Sequence, residues 1–358
     1  MGLLSFAYNP LTLGSALLLS ISILVIFSSS SSLAFQQATF ALLGFAIFFL
    51  VSRFDYRLFK NLSFYIYLVV IVLLVVVMFL GIETRGSIRW ISLGFLNIQP
   101  SEFAKPALIL MLASFWERNL PSWKNIGKSI LISLPVIFLV FEQPDLGSAL
   151  TLFAIWMGML IPAKISFKKV LLLFLTLIML TPLVWFNLEN YQKERIFSFI
   201  SPYEDPLGIG YNIIQSTIAV GSGQLTGRGL GQGTQSRLQF LPESRTDFIY
   251  AFIAEELGFL GSMIIVSLFF FIIAYCLRIA EKARDKFGYL IIFGVISMLF
   301  FQSFVNIGMN IGILPITGIT LPLVSYGGSS LLATLISLGF VLSIGHLRKR
   351  IDIPASSG

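Results

Sequence analysis

Residues 62–81 read LSFYIYLVVIVLLVVVMFLG, an uncharged apolar run of 20 residues. A helix needs about 20 such residues to cross a hydrocarbon core about 30 Å thick. Within one isolated segment, only a helix satisfies every backbone polar group internally. Nine further apolar runs lie outward from it, at 12–28, 34–51, 101–116, 127–142, 145–161, 168–186, 248–277, 287–310 and 321–345. Pro106, Pro135 and Pro144 interrupt some of them, which membrane helices tolerate when neighbouring groups satisfy the freed carbonyls. Across its 358 residues the chain is 56% hydrophobic and 11% charged, with a mean hydropathy of +0.90. A soluble domain is about 25% charged and has nowhere to hide so much apolar surface. The expected fold is an all-α polytopic membrane protein with ten transmembrane helices, one transmembrane domain over residues 1–358.

Ten spans put both termini on one side, and Lys and Arg favour cytoplasmic loops. The loops on the side of the termini hold 16 of the 24 basic residues, the opposite loops 8. Both N and C termini are therefore expected in the cytoplasm. The outer segments carry 12 of the 17 acids, so the net charge of +7 reports topology. It also suits contact with anionic membrane lipids of the inner leaflet. Nucleic acid is excluded as a partner, because no basic face with base-reading groups is present. The first apolar run lacks a preceding basic residue and a small-residue cleavage site, and reads as a span. Cys276 is alone, so helix packing rather than disulfide bonding must hold the fold.

One polar connection is long: the extracytoplasmic loop 187–247, between spans seven and eight. Loops of that length are usually functional. Within it, Tyr211, Ile214 and Ile218 share one helical face, predicting a short helix over 210–220 that lies in the membrane interface. The stretch GSGQLTGRGLGQG at 221–233 has two readings, a flexible connector or a cradle of backbone N–H groups for phosphate. It lacks the Lys and the strand–helix setting of a nucleotide loop.

Arg85, Arg89, Trp90, Glu102, Lys105, Glu142, Asp145, Glu243, Arg245 and Asp247 gather at the outer boundary of the spans. Ionisable groups there are costly and are candidates for function. Glu102 and Lys105, three apart on a first helical turn, form either a structural ion pair or a phosphate site. Arg85 and Arg89 suit a diphosphate or outer-leaflet headgroups equally. Asp145 is placed to cap the helix that follows it. Asp247 opens a run of 30 apolar-rich residues, 248–277, about 45 Å long as a helix. The helix dipole would keep its carboxylate ionised, fit to act as a general base. Equally, Asp247 or Thr246 could be a simple N-cap. Glu255 and Glu256 read as polar anchors, and His346 as a solvated residue near the basic tail. No His/Cys/Asp zinc set and no Ser-His-Asp set occurs, so hydrolase and redox chemistry are disfavoured.

The motifs RGSIRWISLG at 85–94, QPSEFAK at 99–105, QPDLG at 143–147, the loop 221–247 and PLVSYGGSS at 322–330 resemble the SEDS proteins of bacterial cell-wall synthesis. The likeness runs in order from about residue 53 to 345. GQGTQS at 231–236 and NIGMNIGILP at 306–315 look more like the elongation members than the division members. Arg245 departs from the pattern, which usually has His before Thr-Asp. The resemblance implies a peptidoglycan glycosyltransferase that polymerises lipid II at the outer face of the bacterial cytoplasmic membrane. It matches Asp247 to the family's essential residue, and Glu102 and Lys105 to an important pair. It implies a divalent cation, Mg2+ or Mn2+, and a class B penicillin-binding protein as the crosslinking transpeptidase partner. On that chemistry Asp247 would deprotonate the acceptor, while Glu102, Lys105, Arg85, Arg89, Trp90, Glu243 and Arg245 would hold substrate. A lipid flippase and a non-catalytic scaffold are the competing classes.

Overall fold

The computed structural model describes residues 9–84, 87–92, 94, 97–187, 189–237 and 240–351. Helices α1 (Pro10–Ser29) and α2 (Ser31–Arg53) meet at Ser30, which caps α2 by accepting from Leu33 N. The serine run 28–32 is thus a tight junction. Helix α3 (Leu58–Leu80) takes in residues 62–80 of the uncharged apolar run. Helices α4 (Pro100–Arg118), α5 (Trp123–Glu142), α6 (Leu146–Leu160) and α7 (Phe167–Asn187) follow. The long connection contains α8 (Asn190–Ile200), α9 (Tyr211–Ser222) and α10 (Thr234–Arg237). Helices α11 (Ile249–Ala280), α12 (Lys286–Asn310) and α13 (Gly328–Ile351) complete the bundle.

Among the described residues, α1, α2, α3, α5, α11, α12 and α13 are the seven helices long and apolar enough to cross a membrane. Helices also occupy the other three expected spans. Of these, α4 carries Glu102, Lys105, Glu117 and Arg118, and α6 has only 15 residues. Burial assigns places in the bundle. In the most apolar stretch of each helix, 78% of α13 and 61% of α12 are buried, against 28% of α2, α3 and α5. The first two form the centre; the others turn residues such as Phe64, Leu68, Val72 and Phe79 outward toward lipid. Such exposure is stable only where the surrounding solvent is itself apolar. The chain is a polytopic membrane protein.

Three features differ from the sequence reading. First, between α3 and α4 run three short antiparallel strands, β1 (Ile82–Thr84), β2 (Ser87–Ser92) and β3 (Asn97–Ile98). Second, the run 321–345 becomes helical only at Gly328. Residues 319–327 instead form a turn wedged into the protein, where Ser325 Oγ accepts from Leu321 N at 2.8 Å and donates to the Thr246 carbonyl at 2.6 Å. Non-helical backbone survives in a bundle when protein groups satisfy it. Third, α11 is not a straight rod, because it breaks at Gly258 (φ 68°, ψ −164°).

Candidate active site

The segment 241–248 is fastened at both ends by apolar burial. Leu241 and Phe248 are each 2% exposed and pack with Ala219 of α9 and Ala251 of α11. Between these anchors three consecutive carbonyls are taken. Tyr326 N donates to the Arg245 carbonyl at 2.8 Å, and Ser325 Oγ holds that of Thr246. Asn306 Nδ2 and Asn310 Nδ2 donate to the Asp247 carbonyl at 2.9 and 3.0 Å. A backbone bound at each residue fixes the direction in which the side chain leaves it. The helix cap falls on Phe248, and Asn310 Oδ1 accepts from Ala251 N at 3.0 Å. The cap acceptor for that amide therefore comes from α12, across the bundle.

Asp247 is half-buried and lines a cavity of about 970 Å³. A Cβ placed on Gly318 would lie 3.7 Å from Asp247 Oδ2 and 3.8 Å from Arg195 Nη1. The carboxylate and the guanidinium thus flank the same bare stretch of backbone. Arg195, from α8, is steadied by donating to the Thr317 carbonyl at 3.2 Å. The sequence reading missed it, having counted it only among outer-loop charges.

Eight of the ten boundary residues singled out in the sequence line this one cavity; Glu142 is not in its wall, and Arg85 lies outside the described residues. Lys105 Nζ meets Glu102 Oε1 at 2.7 Å, with both side chains almost fully buried, so the pair is an ion pair that is also part of the wall. Arg89, on β2 beside Trp90, donates to the Gln143 carbonyl at 2.9 Å and to the Pro144 carbonyl, and lies 3.9 Å from Asp145. Asp145 caps α6 through Ser148 N and also accepts from Gln99 and Ser101. Glu243 Oε2 accepts from Thr246 Oγ1 at 2.8 Å, and Arg245 reaches Ser29 Oγ at 2.9 Å. Burial pushes the Tyr326 phenol above its ordinary pKa, so it stays protonated and donates to Gln36 Oε1 at 2.6 Å. The charged lining comprises Arg89, Lys105, Arg195 and Arg245 against Glu102, Asp145, Glu243 and Asp247.

The glycine stretch is held to the protein rather than loose, and several of the amides a phosphate cradle would use are already taken: Arg228 N and Gly229 N donate to the Glu255 and Glu256 carbonyls at 2.9 and 3.0 Å. Gly231 N donates to Glu256 Oε1 at 2.6 Å and Gln235 N to Glu255 Oε1 at 2.9 Å. Across the α11 break, a Cβ on Gly258 would sit 2.2 Å from Gly227 N. Only glycine allows that approach at positive φ. Helix α9 forms as expected, but it buries Ile213, Ser216 and Ala219 against the bundle and leaves Ile218 exposed. Ser216 Oγ donates to the Asn310 carbonyl at 2.7 Å, an attachment that no amphipathic pattern reveals. Among the described residues, no three His, Cys, Asp or Glu side chains converge as a metal set.

Fold and site together define a polytopic membrane protein whose bundle encloses a charged cavity with Asp247 held at its wall. The model of the FtsW, RodA and SpoVE family, described as "Cell cycle protein", matches residues 3–350, and the chain belongs to that family. It is 41% identical over 313 residues to the peptidoglycan glycosyltransferase MrdB of Escherichia coli K12, covering 87% of this chain and 85% of that one. A probable peptidoglycan glycosyltransferase FtsW of Haemophilus influenzae is also 41% identical, over 293 residues, 78% of this chain and 73% of its own. The fold matches the rod shape determining protein RodA of Thermus thermophilus at a TM-score of 0.72 and 28% identity, over 96% and 98% of the two chains. It matches a chain from a peptidoglycan synthase complex that coordinates polymerization and crosslinking at 0.81 and 34%, over 94% and 97%.

Proposed function

We propose that this protein is a peptidoglycan glycosyltransferase of the bacterial cytoplasmic membrane, polymerising lipid II into glycan strands for elongation and shape. The observation that carries the reading is the aim of Asp247 into a cavity whose wall holds cations beside it. Asp247 takes the proton from the 4-hydroxyl of the acceptor sugar. That oxygen bonds to the donor's anomeric carbon as the carbon–oxygen bond to undecaprenyl diphosphate breaks, inverting the centre. The diphosphate leaves with the electron pair, so no second acidic carboxyl is required, unlike paired-carboxylate sugar hydrolysis. Arg195, Lys105 and Arg89 offset its developing charge within a partly shielded site. Trp90, Glu243 and Arg245 hold the saccharide.

Among the described residues the charged lining is balanced, four cations against four carboxylates, so an entering diphosphate adds negative charge that this lining does not exceed. A divalent cation fits that deficit. Glu243 would hold it, and it would supply positive charge to offset that of the leaving group. The elongation assignment rests on the likeness to RodA, named for rod shape, and the division role of FtsW is the alternative. A class B penicillin-binding protein transpeptidase is the partner that would crosslink the strands, consistent with the similar chain in a synthase complex.

The test is polymerisation of labelled lipid II by purified protein, with and without a chelator. Glycan strands that vanish on chelation and return with Mg2+ or Mn2+ are expected. Transbilayer movement of lipid II without any polymer would replace this reading with a flippase.

A further inference from the structure

Gln302 has no part in the reaction described above, yet it stands at the same site. It lies on α12 one turn before Asn306 and two before Asn310, the residues that hold the Asp247 carbonyl. Its side chain forms part of the cavity wall, the residue is 1% exposed, and its carboxamide oxygen is without a hydrogen-bond partner among the described residues. Of the five described side chains with such an atom, only Gln302 lines the cavity. A buried polar atom left unpaired costs free energy, and interiors keep few of them. Here the oxygen is shielded from the cavity as well, so it gains a donor only when the carboxamide turns into the cavity to meet one that the ligand brings.

The kind of ligand group follows from the surroundings. The wall already offers cations for phosphate and carboxylates for hydroxyl or ammonium groups. A carboxamide adds a neutral plane bearing an acceptor and two donors. Its complement is another amide, which presents one N–H and one C=O side by side. We propose that Gln302 is a positioning residue that pairs amide-to-amide with the acetamido group of the lipid-linked saccharide. The pairing works for either orientation of the carboxamide, since each partner offers both a donor and an acceptor. In this role Gln302 selects an N-acetylated sugar and sets its height against Asp247. The inference rests on the polymerase reading for the identity of the saccharide.

The test is native mass spectrometry of the purified full-length chain titrated with three lipids: lipid II, a lipid II analogue with hydroxyl in place of acetamido, and undecaprenyl diphosphate. Wild type is expected to retain lipid II about tenfold better than the analogue. Gln302→Met keeps the length and removes both polar atoms. It is expected to lose that discrimination, hold undecaprenyl diphosphate as before, and melt no lower than wild type. Equal retention of lipid II and the analogue by wild type overturns the proposal even if the variant fails to fold. So does a Gln302→Met that weakens all three lipids alike, or none. Polymer formed by the same wild-type preparation reports separately on the enzyme reading: glycan without discrimination sinks this proposal alone, and discrimination without glycan sinks that reading alone.

Discussion

Asp247 and the pair Glu255–Glu256 lie within ten residues of one another, and the protein treats them in opposite ways. Glu255 and Glu256 are 0% and 1% exposed, and their carboxylates accept from Thr234 Oγ1, Gln235 N, Ser28 Oγ and Gly231 N. They pin the glycine stretch to the break in α11. At Asp247 it is the backbone that is pinned, while the carboxylate is half-buried at the cavity. A carboxylate taken up by amides and hydroxyls of other segments is a fastener; one whose main chain is fastened at a cavity is a tool. Proximity in sequence says nothing about which is which.

The contrast can be broken by substitution. Asp247→Asn is expected to cut the polymerisation rate by about 10²–10⁴-fold, the usual contribution of a general base, with the melting temperature unchanged. Glu256→Ala should do the reverse. It leaves Ser28 and Gly231 without their acceptor, lowering stability by about 3 kcal/mol in a detergent melting assay, with activity per folded molecule within roughly tenfold of wild type. Asn310→Ala sharpens the comparison from the other side, since it removes one of the two donors to the Asp247 carbonyl together with the acceptor of the Ala251 amide. A loss of about tenfold in kcat is expected from misalignment. Arg245→His is the mildest change. It restores the residue usual in the family beside Thr-Asp, and turnover within about threefold of wild type is expected, because imidazole also offers the saccharide a donor and Arg245 contacts Ser29 rather than Asp247.

The spans were legible because a bilayer imposes length and apolarity on each segment separately. So was much of the candidate cavity's lining: of the boundary charges read from the sequence, Arg89, Glu102, Lys105, Asp145, Glu243, Arg245 and Asp247 converge there, and Glu142 does not. The rest depends on partners far away in the chain. Gly258 sits inside an apolar helical run, and nothing local marks it as the place where Gly227 must pass. The buried face of α9 is set by Asn310, 94 residues from Ser216. Arg195 is one basic residue among several in a long connection until Thr317 steadies it. One signal was available and unread: Gln302, Asn306 and Asn310 fall four apart in an apolar run, a polar stripe on one helix face that serves the site.

The central claim is that Asp247 moves the proton, and it is tested most directly by assaying Asp247→Asn and Glu255→Gln side by side on labelled lipid II, each confirmed as folded. The account predicts chain formation slowed by about a hundredfold or more in the first and near-normal chains from the second, because a carboxamide at 255 still offers an acceptor to Thr234 and Gln235. Glycan of ordinary length and rate from folded Asp247→Asn would contradict it.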